Sequence, residues 1–370
     1  MSNSTRKNVV VVGGGTGGAT LIRILSKFLD ASKYNLVLVD ARESLILTPA
    51  TIRLPVANPD GLEDRVFVPL KDIFINGNGT FRQGTVTAID PSAGDSAVVL
   101  DDGDRVPYDV LALSPGATWY GSFDFSGDIK ARWAEDRENL KNAQNVVIVG
   151  AGAVGIELSG EIKSEYPHKS VTVVQGSSSV LNDAYPAKYR KALQDAMTAK
   201  KITFVPNEYI DDLRVQSDGQ VKTRSGKGIK ADLVIPAYGP KPNTGFIAES
   251  LGPDVLSPNK YVKVQPTLQL VNHPNIFVIG DAVDNTEQKQ AAKTVAHAAV
   301  AGGNIVALLE GKVLKPYKGS AEMIVITLGK EGGRGYLGVL WGIILGNWAV
   351  KSIKAKTLLV SSMRATYGLS

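Results

Sequence analysis

The chain has 370 residues, of which 44% are hydrophobic and 21% charged, and its net charge is +5. This composition is typical of a folded protein of two or three domains and excludes a disordered chain. There is no cysteine and there are only three histidines, which excludes Cys-x-x-Cys disulfide reductases, persulfide chemistry and thiolate metal sites, and argues against any metal centre. No aromatic and basic module accompanies the positive charge, so we do not expect nucleic acid as a partner.

The N-terminal residues predict neither export nor a lipid anchor. Residues 1–7 are polar, and a predicted strand, residues 9–12, follows at once, which leaves no apolar segment of signal-peptide length. Ser2 stands where N-myristoylation requires glycine. No uncharged segment reaches the roughly 20 residues of a membrane-spanning helix. We therefore expect a cytoplasmic protein, with peripheral attachment to a membrane or lipid droplet as the alternative.

A strand, a glycine-rich turn and a helix open the chain. Residues 9–12 are four valines, typical of a strand buried on both faces. Helical spacing begins at Ala19, and a second apolar strand, residues 35–39, ends at Asp40. The turn between the first strand and the helix consists of Gly13, Gly14, Gly15, Thr16, Gly17 and Gly18.

The same pattern recurs about 140 residues later. Residues 145–149 and 170–174 are the two strands, and the second is followed by Gln175 rather than by an acid. We predict a helix from Ile156 onward. The turn before that helix includes Gly150, Gly152, Val154 and Gly155.

Each of these turns has the features of a dinucleotide-binding site. The first glycine permits a sharp bend, the second lets the backbone approach a pyrophosphate, and the third lets the helix pack on the strand. The helix N-terminus offers free N–H groups and a partial positive charge to the phosphates. Asp40 is placed to accept hydrogen bonds from ribose hydroxyls. Gln175 does not repel a 2′-phosphate, and residues 176–183 hold no arginine to attract one, so NADH and NADPH both remain open.

Glu157 follows the second turn closely, and two interpretations of it remain open. Its carboxylate complements the helix dipole in one. In the other it lies near the nicotinamide or the flavin and orients it.

Two dinucleotide sites favour a hydride relay between a resident flavin and a visiting nicotinamide. A third apolar strand, residues 275–279, and a helix from about 288 to 309 come late enough to return to the first domain. We predict an α/β fold with two Rossmann-like domains and a small α+β domain. The limits are 1–118 with 265–313 for FAD, 119–264 for NAD(P)H, and 314–370 for the C-terminal domain.

With these motifs in place, nearly the whole chain resembles the two-dinucleotide-domain flavoproteins. Within them it is most similar to the ferroptosis suppressor protein family, also called the apoptosis-inducing-factor-like AMID group. The stretches that carry the resemblance are 12–18, 80–84, 108–116, 150–157, 280–281, 289–306 and the tail after Tyr317.

The resemblance implies an oxidoreductase that passes electrons from NAD(P)H through non-covalently bound FAD to quinones such as ubiquinone. It implies FAD contacts at Gly13 to Gly18, Asp40, Arg53, Val86, Ser114 and Asp281. It implies NAD(P)H contacts at Gly150, Gly152, Val154, Gly155, Glu157 and Gly239. Catalytic roles are implied for Lys289, whose positive charge would stabilise the reduced flavin, and for Glu157.

Simpler interpretations of three of these side chains stay open. Lys289 would then be a solvated helix lysine, and Arg53 a surface arginine. Asp281 would be no more than a turn residue at a strand end. His297 lies in an alanine-rich helix, where core packing is the favoured interpretation.

The C-terminal segment from Tyr336 to Lys356 has two interpretations. Residues 335–350 carry no charge, and Lys351, Lys354 and Lys356 follow. Interfacial docking would place the apolar residues at the lipid headgroups and the lysines on the phosphates. In the other interpretation the segment is buried on the core or across a homodimer, which the resemblance favours.

We therefore predict an NAD(P)H:quinone oxidoreductase that needs no protein nucleophile. One alternative is a reductase of a protein electron carrier. The other is a redox signalling factor of the apoptosis-inducing-factor type, in which NAD(P)H binding changes association rather than turnover.

Overall fold

The computed structural model describes residues 6–369, so Ser2 lies outside the described residues. A six-stranded sheet forms the first part of the fold. Its central strand, Lys7–Val12, pairs in parallel with strands on both sides, and Val9, Val10 and Val11 are fully buried, as expected of such a strand. The strand order across the sheet is Gln269–Leu270, His273–Val278, Val110–Leu113, Lys7–Val12, Tyr34–Asp40 and Thr80–Gln83. The sheet therefore combines strands from before residue 118 and after residue 265.

Helices cover one face of this sheet. Thr16–Phe28 packs against Ala291–Leu309, whose buried residues include Ala298, Ala301 and Ile305. Within residues 6–369, Ala291–Leu309 is the one helix whose length and composition would let it cross a bilayer. One face of it packs on helix Thr16–Phe28, and eight of its residues are buried. The opposite face is covered by helix Gly245–Leu251 and an antiparallel meander of Val86–Asp90, Ala97–Leu100 and Arg105–Pro107.

A second, fully parallel sheet contains the second glycine turn. Its strand order is Ile202–Val205, Ser170–Val174, Asn145–Val149 and Leu233–Pro236. The helices around it are Ile129–Asn142, Ala153–Glu165 and Ala187–Ala199.

The C-terminal part is an antiparallel sheet of three strands followed by short helical segments. The strands are Met323–Thr327, Gly333–Leu337 and Ile343–Leu345. The segments are Asn347–Val350, the π-helical Lys351–Ala355 and Val360–Thr366. The three parts confirm the predicted fold class, two Rossmann-like sheets with a small α+β part.

Shorter elements connect these parts. The remaining strands are Ser44–Ile46, Phe67–Pro69, Ala117–Thr118, Gln220–Lys222, Gly228–Lys230 and Lys241–Pro242. The remaining α-helices are Thr48–Thr51 and Leu62–Arg65, and the single 3₁₀ turns are Pro59–Gly61, Leu70–Asp72, Ile75–Gly77, Gly121–Phe123, Pro253–Val255 and Gly280–Ala282.

Three helices begin at other residues than predicted. The helix whose spacing was expected from Ala19 begins at Thr16, after the N-cap Gly15. The helix expected from Ile156 begins at Ala153, because Gly152 is its N-cap. The helix expected from about 288 begins at Ala291, after the extended N-cap Gln290.

Candidate dinucleotide sites

The two glycine turns have the same geometry at their first glycine. Gly13 has φ 96° and Gly150 has φ 118°, a region that L side chains rarely adopt. A Cβ atom would lie 2.1 Å from the Ser114 carbonyl oxygen at the first position and 2.6 Å from that of Ala237 at the second. Both glycines are therefore required for the chain to turn against the neighbouring strand.

The remaining glycines of the turns divide into packed and open positions. A Cβ on Gly18 would lie 1.7 Å from the Gly13 oxygen, and one on Gly155 would lie 1.9 Å from the Gly150 oxygen. Around Gly15 and Gly152, in contrast, no atom lies within 4 Å of an added Cβ. Each of these two residues is the N-cap of a 13-residue helix and faces open space. A pyrophosphate fits both cradles, because nothing separates it from the free helix N–H groups.

A cleft of about 1150 Å³ opens beside the first turn and is large enough for a dinucleotide. Gly13, Asp40 and Val86 all line it. The Asp40 carboxylate accepts hydrogen bonds from the backbone N–H of Gly14 at 2.6 Å and of Arg42 at 2.7 Å. These bonds fix the carboxylate at the mouth of the turn, where a ribose would lie.

Near its end, the first turn packs against residues that come much later in the chain. A Cβ on Gly17 would contact the Thr294 methyl carbon at 2.6 Å and the Ser114 Oγ at 2.9 Å. Gly280 lies against the same two side chains. Asp281, directly after Gly280, is therefore brought close to the turn although it lies more than 260 positions later.

Asp281 has a carboxylate suited to an external partner. Burial raises its pKa, and the nearby Lys289 opposes that rise. Within residues 6–369, no hydrogen bond reaches this carboxylate. Its oxygens are therefore available to the hydroxyls of a bound cofactor, and a contact with FAD stays a prediction.

Lys289 is held in place by the loop that precedes helix Ala291–Leu309. Its Nζ donates to the Val283 carbonyl oxygen at 2.5 Å and to Asn285 Oδ1 at 2.8 Å, and it lies 4.7 Å from the centre of the Tyr261 ring. Burial lowers its pKa. The alternative of a solvated helix lysine is therefore wrong, since the ammonium group is half-buried and precedes the helix.

Glu157 is engaged by the C-terminal part of the chain. Its Oε1 accepts hydrogen bonds from Thr327 N at 2.8 Å, Thr327 Oγ1 at 3.0 Å and Lys354 Nζ at 2.7 Å. The side chain is buried. Nothing in the spacing of Glu157 and Lys354 signals this contact, so Lys354 was not predicted as its partner.

Arg53 is buried, so the interpretation as a surface arginine is wrong. Its guanidinium donates to both oxygens of Glu161, at 2.7 and 3.0 Å, and to the Ala355 carbonyl oxygen at 2.9 Å. A contact with FAD stays a prediction, and Glu161 is the partner that the sequence did not reveal.

In the second site Gln175 occupies the position that Asp40 has in the first. Its Oε1 accepts from Ala151 N at 2.8 Å, as Asp40 accepts from Gly14 N, and its Nε2 donates to Ser177 Oγ at 3.1 Å. Gly239, predicted to contact NAD(P)H, lies exposed in the loop after strand Leu233–Pro236. Val154 lies in the first turn of its helix, beside Gly155.

A buried polar cluster near Asp281 was not predicted in full. Lys293 forms an ion pair with Glu322, and Gln290 Nε2 donates to Glu322 Oε1 at 2.6 Å. His297 is buried, as expected, and its Nδ1 accepts from Gly280 N at 3.1 Å. The alanine-rich helix pattern signalled His297. Nothing in the sequence signalled Glu322, which lies just before strand Met323–Thr327.

A family model of pyridine nucleotide-disulphide oxidoreductases matches residues 7–303. The chain belongs to the pyridine nucleotide-disulphide oxidoreductase family. This is a family of oxidoreductases that bind FAD and NAD(P)H, which confirms the predicted cofactors. The chain has no cysteine, so it does not carry the disulfide of the family name.

Individual known proteins are similar to this chain over most of their length. The chain is 42% identical over 319 residues to the FAD-dependent oxidoreductase FVFD30 of Flammulina velutipes, covering 85% of this chain and 99% of that protein. It is 30% identical over 371 residues to ferroptosis suppressor protein 1 of Taeniopygia guttata, covering 97% and 95%. Its fold is similar to that of the sulfide:quinone oxidoreductase of Aquifex aeolicus, with a TM-score of 0.81 over 98% of this chain and 92% of that one. At 17% identity this last likeness shows the fold alone.

Proposed function

We propose that the protein is an NAD(P)H:quinone oxidoreductase of the ferroptosis suppressor type. The observation that carries the proposal is the combination of two intact dinucleotide turns with the absence of any cysteine. Bound FAD supplies the exchange of hydride with NAD(P)H and of electrons with an acceptor. Without a thiol these electrons do not leave through a disulfide, so they pass directly from the flavin to the acceptor.

The relatives support a quinone as that acceptor. The likeness to ferroptosis suppressor protein 1 spans nearly both chains. The resemblance of the sequence to that family implies a quinone as the electron acceptor. We also propose the domain limits given above, with FAD held by 1–118 and 265–313, and NAD(P)H by 119–264.

In this proposal Lys289 places a positive charge at the flavin end of the first site. An ammonium group has three donors, and two of them are taken by Val283 and Asn285. The third remains for the cofactor. Its partial burial near Asp281 reduces contact with water and strengthens its interaction with negative charge.

Glu157 has a positioning role at the nicotinamide end. Its Oε1 takes all three described hydrogen bonds, from Thr327 and Lys354. The other oxygen, Oε2, remains for the carboxamide of the nicotinamide. Because Lys354 comes from the C-terminal part, that part completes the second site.

The test is anaerobic reduction followed by addition of a quinone. The purified FAD-loaded protein is mixed with NADH, the flavin absorbance is recorded, and a short-chain ubiquinone is added. Bleaching by NADH and recovery with the quinone within a turnover support the proposal. A flavin that bleaches but stays reduced with the quinone overturns it and favours a protein acceptor or a signalling role.

A lysine pair sharpens this test. Lys289→Met should slow the reduction of the flavin by NADH. Lys188→Met, at an exposed position on helix Ala187–Ala199, should leave this rate unchanged. Equal rates in both variants contradict the role of Lys289.

A further inference from the structure

The hairpin that joins the last two strands carries large apolar side chains into solvent. Leu340 is 76% exposed and Trp341 is 102% exposed, and Val339 beside them is also exposed. In the predictions this segment was either buried or interfacial, and the turn is not buried. The exposed apolar part is shorter than the predicted segment. Tyr336 and Ile344, on the two strands that flank the hairpin turn, pack on the core.

The turn keeps these side chains in a backbone conformation that suits neither. Leu340 has φ 49° and Trp341 has φ 66°, and the turn is closed by a hydrogen bond from Gly342 N to the Val339 oxygen at 3.0 Å. In hairpin turns with two left-handed central residues, Asn-Gly is the preferred pair. Bulky residues are strained there. The fold therefore gains nothing from Leu340 and Trp341, which points to a role outside it.

The sheet next to the turn is apolar on its outer face. Met323, Leu337 and Ile343 are directly paired across the three strands and so lie on one face. Met323 and Ile343 are exposed. The turn and this end of the sheet form one apolar surface, which we name the hairpin tip: Met323, Val339, Leu340, Trp341 and Ile343.

Positive charge is concentrated in the same part of the chain. Residues 314–370 contain eight lysines and arginines and two acids, so they carry more than the whole net charge of +5. One acid, Glu322, is turned inward to Lys293, and the other, Glu331, pairs with Lys351. Lys354 also pairs with Glu157, outside this part. The basic residues of this part still outnumber the acids that pair with them.

We infer that the hairpin tip inserts into the headgroup region of an anionic lipid surface. An exposed tryptophan and leucine at a tip, on a basic unit, match the interfacial residues and the charge that such a surface recognises. Charge favours lipid over a second copy of the chain, because two copies of this basic unit repel each other. The contact requires no lipid anchor and is independent of the electron acceptor.

Vesicle binding of the FAD-loaded full chain tests this inference. The variant Leu340→Asn/Trp341→Asn removes the apolar side chains and should fold at least as well, since asparagine tolerates positive φ. Phe28→Asn is the matched control, because Phe28 is an exposed aromatic residue on helix Thr16–Phe28. Vesicles of phosphatidylcholine with about one third phosphatidylserine are compared with phosphatidylcholine alone.

We expect wild type and Phe28→Asn to sediment with the anionic vesicles, and sodium chloride to weaken the binding. The double variant should bind at least about tenfold more weakly. Its flavin absorbance should be unchanged and its thermal midpoint equal or higher. Equal sedimentation of wild type and double variant overturns the inference. So does light scattering that shows the double substitution converting a dimer to monomers, since the tip is then an interface between copies. Turnover of a water-soluble quinone without vesicles should not change in the double variant, so failure of the quinone proposal is detected separately.

Discussion

Arg53 and Glu161 form a buried bidentate ion pair, with nitrogen–oxygen distances of 2.7 and 3.0 Å, that joins distant parts of the chain. Glu161 lies one helical turn after Glu157, so both carboxylates project from one face of helix Ala153–Glu165. Glu157 binds Lys354, and Arg53 also binds the Ala355 oxygen. This helix face therefore holds two other parts of the chain in place. One is the segment around Arg53, between two strands of the first sheet, and the other is the C-terminal segment around Lys354.

Removing one partner of this pair should be strongly destabilising. Glu161→Gln and Arg53→Met each leave a buried charge without its partner, which lowers the free energy of unfolding by about 3–5 kcal/mol. The double variant Arg53→Met/Glu161→Leu should lose less than either single variant, because no unpaired charge remains. Urea unfolding followed by circular dichroism measures the difference.

The exposed pair of Arg82 and Asp102 provides the control for this prediction. Arg82→Met should change the free energy of unfolding by less than about 1 kcal/mol. If Arg53→Met is as mild as Arg82→Met, the buried pair does not stabilise the fold as the geometry implies.

The open glycines should separate the two cofactor sites. A valine at Gly15 or at Gly152 meets no protein atom within 4 Å of its Cβ, so both variants should fold. Gly15→Val should fill the first cradle and lower FAD affinity by about tenfold or more, which is about 1.4 kcal/mol. Gly152→Val should retain the flavin absorbance and lose NAD(P)H affinity by a similar factor. Flavin absorbance after gel filtration and NADH titration measure the two effects.

Each of these variants is the control of the other, because they alter equivalent positions in equivalent turns. Loss of flavin from Gly152→Val, or unchanged affinities in both, would contradict the assignment of the sites. Gly18→Ala should instead impair folding, since its Cβ would lie 1.7 Å from the Gly13 oxygen.

The choice between NADH and NADPH should depend on Gln175. Asp40 shows that an aspartate fits this position, because it accepts from Gly14 N as Gln175 accepts from Ala151 N. Gln175→Asp should bind the ribose hydroxyls of NADH and repel the 2′-phosphate of NADPH. We expect kcat/KM for NADPH to fall by about tenfold relative to NADH, a difference of about 1.4 kcal/mol. Gln175→Ala introduces no charge and should not lower kcat/KM for NADPH relative to NADH. If it does, charge repulsion is not the cause of the preference.

Local pattern was sufficient for the dinucleotide turns and not for their surroundings. The spacing of Gly13, Gly15 and Gly18 dictates a strand, a bend and a helix within a few residues, so it predicts the geometry found. The same holds for the place of Asp40 at the end of the second strand, beside the first turn. Such features depend on backbone sterics between near neighbours, which a sequence displays directly.

Contacts over long distances along the chain were missed for a physical reason. Glu161 binds Arg53 from 108 positions away, and Lys354 binds Glu157 from 197 positions away. No periodicity links such residues, since their meeting depends on how separate sheets pack. The exposure of Trp341 could not be predicted either, because an uncharged apolar run is as typical of a buried segment as of an apolar surface.

His297 should make stability depend on pH in the range below its ordinary pKa of 6.5. Burial lowers its pKa, and Lys289 and Lys293 act in the same direction while Glu287 opposes them. Because the folded pKa is below the unfolded one, the unfolded state binds more protons between the two values. Stability is therefore complete above pH 6.5 and falls as pH decreases toward the folded pKa.

The variant His297→Asn should remove this pH dependence while an amide oxygen still accepts the hydrogen bond from Gly280 N. Urea midpoints at about pH 7.5 and 5.5 should differ less in this variant than in wild type. His168→Asn, at an exposed position, is the control and should keep the wild-type difference. A difference as large in His297→Asn as in wild type would show that other groups cause the loss at low pH. The protonation of His297 would then not oppose folding, in spite of its burial beside two lysines.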